Sequence, residues 1–461
     1  MTGFQGLASG GGDADPARHR GLKLGFFAVW VVLVVAMAAR HTVFRDEVRA
    51  LTLALQGPNV MAMLAGIHGE GHPAVWYLLL RAAHALWHSP LVLPAISIAV
   101  AAGAALLGVL RGPFAWWMVL LGLLSRFAVF EYSVMARNYG ISVLLMFAVA
   151  ALYARGRRGG LWLGVLLALL ANTNIHSVIL PAGPLDYLLG LDPQHAPALL
   201  GGAFGHALLE IGGSLALYAA ALSLIRHPAA CLAALASLIG LSVFSAVISH
   251  GFYRHDALWL AFVISLHWIL RSGSEPPFPW SEQLTPRVAS ISKVCCAVLI
   301  ALMATQAEAG ALTVVSALRA PPSRFPGVVQ GRADLRQAVI IADPDFLLEA
   351  MPYALANPTW LVREDRWGPV VHFTRKARLS LSPADLLGAA RQLRAKTGRH
   401  VLILVQTPLR TGAPPTVVKE GYDWELRLAP ADVSAFLAAT QPLGHFAQAS
   451  EDGDFDAYLL K

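Results

Sequence analysis

The chain has 461 residues, of which 56% are hydrophobic and 14% charged, with a net charge of +7. Globular domains carry about 25% charged residues, so this balance excludes an ordinary soluble enzyme and indicates a polytopic membrane protein. The basic excess is scattered singly or in short loops, which argues against a nucleic-acid partner, and Cys231, Cys295 and Cys296 lie in apolar runs without disulfide or metal-ligand spacing.

Residues 1–20 are rich in Gly, Ala and Asp, lack periodicity and end in a basic cluster, Arg18, His19, Arg20 and then Lys23. They read as a short disordered cytoplasmic tail. A signal peptide opens in the same order, with Ala36-Met37-Ala38 mimicking a cleavage site, but the later spans need no cleaved leader and the first run is read as a retained anchor. That run, Leu24 to Ala39, is long enough to cross a bilayer. Phe44-Arg45-Asp46-Glu47-Val48-Arg49 follows, so two adjacent carboxylates are expected at the far membrane face. Taken alone, they could equally be a solvated loop end that stops the helix.

Gly71-His72-Pro73 places a proline at a favourable first helical position, with His72 held at the helix entrance. Residues 74–88 then alternate Arg81, His84 and His88 with Trp76, Tyr77, Leu80 and Trp87, the pattern of a helix lying in the membrane interface rather than crossing it. Apolar segments at 24–40, 90–110, 113–130, 137–154, 161–180, 204–225, 228–249, 255–271 and 294–315 give about nine spans. With that count Arg111, the Arg155–Arg158 cluster, Arg226 and the 271–293 loop all fall inside, as the positive-inside rule requires. The composition changes at Arg319-Ala320-Pro321-Pro322. Beyond it Val339-Ile340-Ile341 and Val401–Val405 read as buried strands, while 382–396 and 431–440 carry helical patterns. The expected architecture is therefore mainly α: a tail (1–20), a transmembrane domain (21–318) with an acidic outer loop (41–73), and a soluble outer α/β domain (319–461).

Under this topology Arg45, Asp46, Glu47, Arg49, Glu70, His72, Arg126, Glu131, Arg137, His176, Arg254, His255 and Asp256 gather at the outer face. Ionisable groups at membrane depth are costly and are functional candidates by default. Each one alone also reads as a snorkelling side chain or a helix stop. Ala136-Arg137-Asn138-Tyr139 and Tyr253-Arg254-His255 open spans from the outer side. Guanidinium groups at helix starts suit a phosphate.

An acidic pair after the first span, then a His-Pro element, then Arg-x-Tyr at a later helix start resembles the GT-C superfamily of membrane glycosyltransferases. Within it the chain is most similar to the protein O-mannosyltransferases and lipid A aminoarabinose transferases, over residues 22 to 190. The family's His-Pro-Pro is His72-Pro73-Ala74 here, followed by Val75, with the aromatic pair Trp76-Tyr77 kept. The resemblance implies a polyprenyl-phosphate sugar donor, a glycan, lipid or protein acceptor, and a catalytic base at Asp46 with Glu47 beside it. His72, Arg137, Tyr139, His176 and Arg254 become substrate-binding candidates. A carboxylate taking the acceptor's proton and arginines neutralising the departing phosphate would complete an inverting displacement. The resemblance implies no certain cofactor, and a divalent metal, used by some members and not by others, stays open. The expected location is the cytoplasmic (inner) membrane, with the active site and C-terminal domain on the periplasmic side. The alternatives are a transporter or flippase of lipid-linked sugars and a noncatalytic envelope assembly protein.

Overall fold

The computed structural model describes residues 16–41, 43, 45–67, 73–156, 159–173, 203–247, 253–273, 277–319, 324–372, 376–420, 423–446 and 454–461, with the side chains of 16–18, 45, 46, 203–211, 244–247, 253–256 and 324 outside the description. The chain forms two compact units. One holds residues 1–39 and 57–318, the other residues 40–56 and 319–461.

The first unit is helical: α1 (Pro16–Ala38), α3 (Val60–Gly66), α4 (Val75–Leu86), α5 (Val92–Arg111), α6 (Trp116–Leu124), α7 (Tyr139–Ala154), α8 (Leu161–Ala171), α9 (Ala203–Leu222), α10 (Pro228–Val247), α11 (Tyr253–Ser272) and α12 (Thr285–Arg319). Among the described residues three helices are long and apolar enough to cross a membrane: His19–Ala38, Val92–Arg111 and Thr285–Arg319. The expected figure of about nine is not reached by helix length. α6 has 9 residues, α7 has 16 and α8 has 11. At 1.5 Å per residue these reach about 14 to 24 Å, short of the ~30 Å hydrocarbon layer. α4, with 12 residues, is likewise too short to span, and it buries Trp76, Tyr77 and Leu80 while leaving Leu86 exposed. That is the one-sided burial expected of 74–88. α7 packs against α5, α8 and α11. Against α5, Leu144 and Phe147 lie over Gly103 and Gly108, at distances where an added Cβ would make ordinary contact.

The second unit contains α2 (Arg45–Leu55), α13 (Arg324–Gly331), a 3-10 helix (Asp345–Tyr353), α14 (Pro383–Thr397), α15 (Pro430–Ala439) and nine strands. β1 (Val339–Asp343) and β5 (Val401–Val405) pair in parallel, with β9 (Phe455–Leu460) and β8 (Thr440–Phe446) added antiparallel in the order β1-β5-β9-β8. β4 (Ser380–Leu381), β7 (Glu425–Leu428) and β6 (Thr416–Lys419) form a second sheet, and β2 (Trp360–Leu361) pairs with β3 (Arg366–Trp367).

The larger sheet is buried on both faces. Val339, Ile341, Val401, Ile403 and Val405 pack with Leu386, Leu393, Val433 and Phe436 of the two helices, while Ile340, Ala342, Leu402 and Leu404 pack with Phe325, Phe346 and Leu348. Two covered faces explain why β1 and β5 are apolar at nearly every position rather than at alternate ones. α14 starts at a capping box in which Ser382 and Asp385 satisfy each other's backbone N–H groups, and ends at Gly398 with φ 68°.

A buried arginine joins the two sheets. Arg363 donates to Asp343 Oδ1 (2.7 Å), Glu420 Oε2 (2.9 Å) and the carbonyls of Arg378 (3.1 Å), Leu379 (2.9 Å) and Glu425 (3.3 Å), with its guanidinium 4.7 Å from the Trp424 ring centroid. The Asp345 carboxylate accepts from the backbone N–H groups of Val362 and Arg363, both at 2.9 Å.

The acidic stretch requires a correction. Grouped by sequence with the membrane helices, residues 40–56 instead belong to the C-terminal unit. The reason lies in α2, whose Val48, Leu51 and Ala54 recur at helical spacing and are buried. An amphipathic helix of 11 residues needs a partner for that stripe, and α2 finds it in the 3-10 helix Asp345–Tyr353.

Candidate functional site

Two polar constellations stand out, one within each unit. In the helical unit, α6 stops at Leu124, where α12 crosses it closely: a Cβ on Gly310 would sit 1.9 Å from the Leu124 carbonyl oxygen, so only glycine fits there. Ser125 turns to extended ψ (141°) and its hydroxyl caps the Gly122 carbonyl at 2.7 Å. A π-helical turn, Phe127–Glu131, follows, and residues 132–138 then run as an irregular buried segment into α7. Buried irregular backbone in a bundle of apolar helices is tolerated where protein groups satisfy it. Here Ser97 donates to the Met135 carbonyl (3.3 Å) and the Asn138 side chain donates to the Thr173 carbonyl (2.8 Å). Gly140 lets the first turn of α7 approach the Tyr132 carbonyl, which a Cβ would meet at 2.7 Å.

This turn concentrates charge. Arg126 Nη2 lies 3.6 Å from Glu131 Oε1, and Glu131 is buried. The Arg137 guanidinium sits 5.4 Å from the Tyr139 ring centroid, and Tyr139 in turn stands 5.7 Å from Tyr132. The guanidinium groups of Arg126 and Arg137 and the Glu131 carboxylate thus share one partly buried turn, and guanidinium is the side chain suited to an anionic oxygen ligand. Arg137 and Tyr139, both named from sequence, are thus adjacent in space as well as in the chain. Arg254 occupies the second position of α11, which packs on α7, but its side chain is outside the described residues. His72 and His176 also fall outside them.

In the C-terminal unit the acidic stretch forms the second constellation. Glu47 is 1% exposed and its Oε2 lies 2.9 Å from His41 Nε2. Arg49 Nη1 lies 3.9 Å from Glu349 Oε1, which also accepts from the Val371 N–H at 3.0 Å. Burial, and then the Glu47 carboxylate, push the Tyr353 hydroxyl up from its ordinary value. His372 is pushed down, first by burial and then by Arg366. Acid, base and phenol therefore converge where α2 docks. Asp46 holds the second position of α2, with its side chain outside the described residues. Among the described residues no three His, Cys, Asp or Glu side chains are grouped so as to hold a metal ion.

Sequence reading missed His41, Glu349, Tyr353, Ser133 and Gln306. His41 and Gln306 left a signal: the first sits six residues before Glu47, and the second is a lone amide inside the 294–315 apolar run. Glu349 and Tyr353 left none, because their relation to Glu47 is set by contacts 300 residues apart in the chain. No family model, curated protein or solved structure matches the chain.

Proposed function

We propose that the chain is an inverting glycosyltransferase of the GT-C type, moving a sugar from a polyprenyl-phosphate donor to an envelope acceptor at the outer face of the cytoplasmic membrane. The observation that carries this reading is the partly buried turn that holds Arg126, Glu131 and Arg137 together in a mainly apolar helical unit. Charge held there is costly unless it serves a ligand, and a lipid-linked phosphate reaches such a site from the bilayer. Arg137, with Arg254, neutralises the leaving phosphate while Tyr139 fixes the Arg137 guanidinium, and His72 and His176 contact the donor or acceptor. Asp46 takes the acceptor's proton. Glu47, buried against His41, supports the fold of the acidic helix rather than the chemistry.

Nine crossings are proposed, with the shorter helices completed by the non-helical segments beside them. An odd number fits the union of residues 40–56 and 319–461 in one unit. Those two segments follow the ends of α1 and α12, and both must then emerge on one side, which is the outer one if the basic loops lie inside.

Single-turnover transfer from a radiolabelled polyprenyl-phosphate sugar by the purified chain tests the proposal. Asp46→Asn should lower the rate by about a hundred to ten-thousandfold with the donor still bound. Arg137→Ala should weaken donor binding by about 1.5–3 kcal/mol, and Lys should restore it only in part, because it lacks the planar fork. Native rates in Asp46→Asn together with loss in Glu47→Gln would move the base to the neighbour, and no effect of either would remove the catalytic role of this stretch. A second reading, a flippase of lipid-linked sugars, is favoured by one observation: the helix break at Ser125 followed by a π-helical turn, since discontinuous helices build transport sites. Donor that crosses the bilayer in liposomes without being consumed would select it.

A further inference from the structure

The helical unit holds a partly open apolar cavity of about 190 Å³ between α1, α5, α6, α7, α11 and α12, so that a chain longer than the cavity can extend out of it. On α12 its lining runs from Cys296 to Gln306, ten residues or about 15 Å of helix. Most of its polar lining side chains already have partners. Ser125 bonds the Gly122 carbonyl, His267 pairs with Ser223 at 2.8 Å, Cys296 approaches the Ser223 carbonyl, and Arg271 reaches Met118 Sδ and the face of Phe114. Two do not. Gln306, 1% exposed, leaves both its amide nitrogen and its amide oxygen without a hydrogen bond, and the buried Trp30 leaves its indole N–H unpaired. Trp259, in the same unit, donates to the Ala234 carbonyl at 3.1 Å, which shows what a satisfied indole looks like in this environment.

Gln306 cannot swing away to find water. It lies on the buried stripe of α12 with Leu299, Leu302, Met303 and Gly310, and the contact of Gly310 with the end of α6 pins that face one turn further along. An unpaired amide in an apolar wall costs free energy that a leucine of similar size would not. A single water could bond the amide, but its share of volume is about 30 Å³. Most of the cavity would then stay empty, and apolar walls facing a void lose dispersion contacts. An occupant that satisfies both demands has a hydrocarbon body and one small group with both donor and acceptor capacity. A hydroxyl can both donate and accept, which matches the Gln306 amide oxygen and amide N–H.

We propose that this cavity binds a long-chain lipid alcohol, with its hydroxyl on Gln306 and its chain along the apolar walls, which include Trp30. The site does not depend on glycosyl transfer and is tested without it. Purified full-length chain in nanodiscs is titrated with hexadecan-1-ol or hexadecane and its melting temperature followed, since a ligand of the native state raises it by mass action. The alcohol should raise the melting temperature more than the alkane. Gln306→Leu should melt no lower than the native chain when no alcohol is added, and its affinity for the alcohol should fall on the order of tenfold. Trp30→Phe should weaken the alcohol's advantage less. Equal shifts for alcohol and alkane in the native chain would overturn the proposal, as would an undiminished preference for the alcohol in Gln306→Leu.

Discussion

Both units bury polar groups, and Arg363 in one and Gln306 in the other stand at opposite extremes of how such groups are satisfied. In the C-terminal unit Arg363 is fully buried and its donors are directed at two carboxylates and three carbonyls, while both Asp345 oxygens accept backbone N–H groups. The two remaining carboxyl oxygens there, Asp343 Oδ2 and Glu420 Oε1, have no hydrogen bond in the structure, and burial favours a proton on Glu420 that would let one side chain donate to the other. In the helical unit Gln306 and Ser133 are equally buried and keep open valences. A saturated buried network serves architecture, because each group is already spent on another part of the same fold. Open valences in a cavity wall or a buried turn are what a ligand can use.

The largest expected effect tests the saturated side. Arg363→Met removes the cation that two buried carboxylates and three carbonyls face, and breaking such a pair costs about 3–5 kcal/mol. Urea unfolding of the full chain, followed by protease sensitivity of the C-terminal unit, measures it. A loss below about 1 kcal/mol would mean that the network is not holding the sheets together.

The next effect is one of pH. Burial first, and then the charge of Asp343, raise Glu420 from 4.5 to about 8, and burial raises Asp345 from 3.8 to about 7 against the pull of two backbone N–H groups. In each case the folded state keeps a proton that the unfolded chain has already released. The native state therefore binds more protons in this window. Its stability is greatest below the ordinary carboxylate values and falls as pH rises toward about 8, with a limiting slope of about 1.4 kcal/mol per pH unit per proton. Melting curves of the C-terminal unit within the full chain, taken between pH 5 and 8, should show the decline. Glu420→Gln should flatten it and leave the share that belongs to Asp345. A stability that rises over that range would reverse the assignment of the proton.

The smallest effect sharpens the contrast from the other side. Ser133 is buried with its hydroxyl unpaired, so Ser133→Ala removes an unsatisfied group and loses no bond. The melting temperature should stay unchanged or rise slightly, within about 0.5 kcal/mol. A clear destabilisation would show that the hydroxyl is bonded and that the turn is as saturated as the arginine network.

Period and composition were enough for the C-terminal elements. Val339–Ile341 and Val401–Val405 are strands, and α14 and α15 match the helical patterns within one or two residues, because apolar runs between turn signals leave few alternatives. They were also enough to read 74–88 as an amphipathic helix, and Val75–Leu86 is helical with Trp76, Tyr77 and Leu80 buried. They failed at Ser125. The apolar run from 113 to 130 was read as one span although Gly122, Ser125 and Arg126 interrupt it, and only the fold shows that the break falls where Gly310 of a distant helix meets Leu124. The acidic stretch was legible as chemistry, but its neighbours were not: His41, Glu349 and Tyr353 meet Glu47 only because α2 docks on a 3-10 helix beyond the last span.

The sequence by itself determined that the chain is a mainly helical, membrane-associated protein with a strand-bearing C-terminal region, since hydropathy and period act locally and survive any arrangement of the elements. Only the tertiary structure decided that residues 40–56 fold with the C-terminal unit, that Arg363 is saturated and that Gln306 is not. Whether a buried polar side chain finds a partner depends on which distant segments arrive beside it, and no local pattern carries that information.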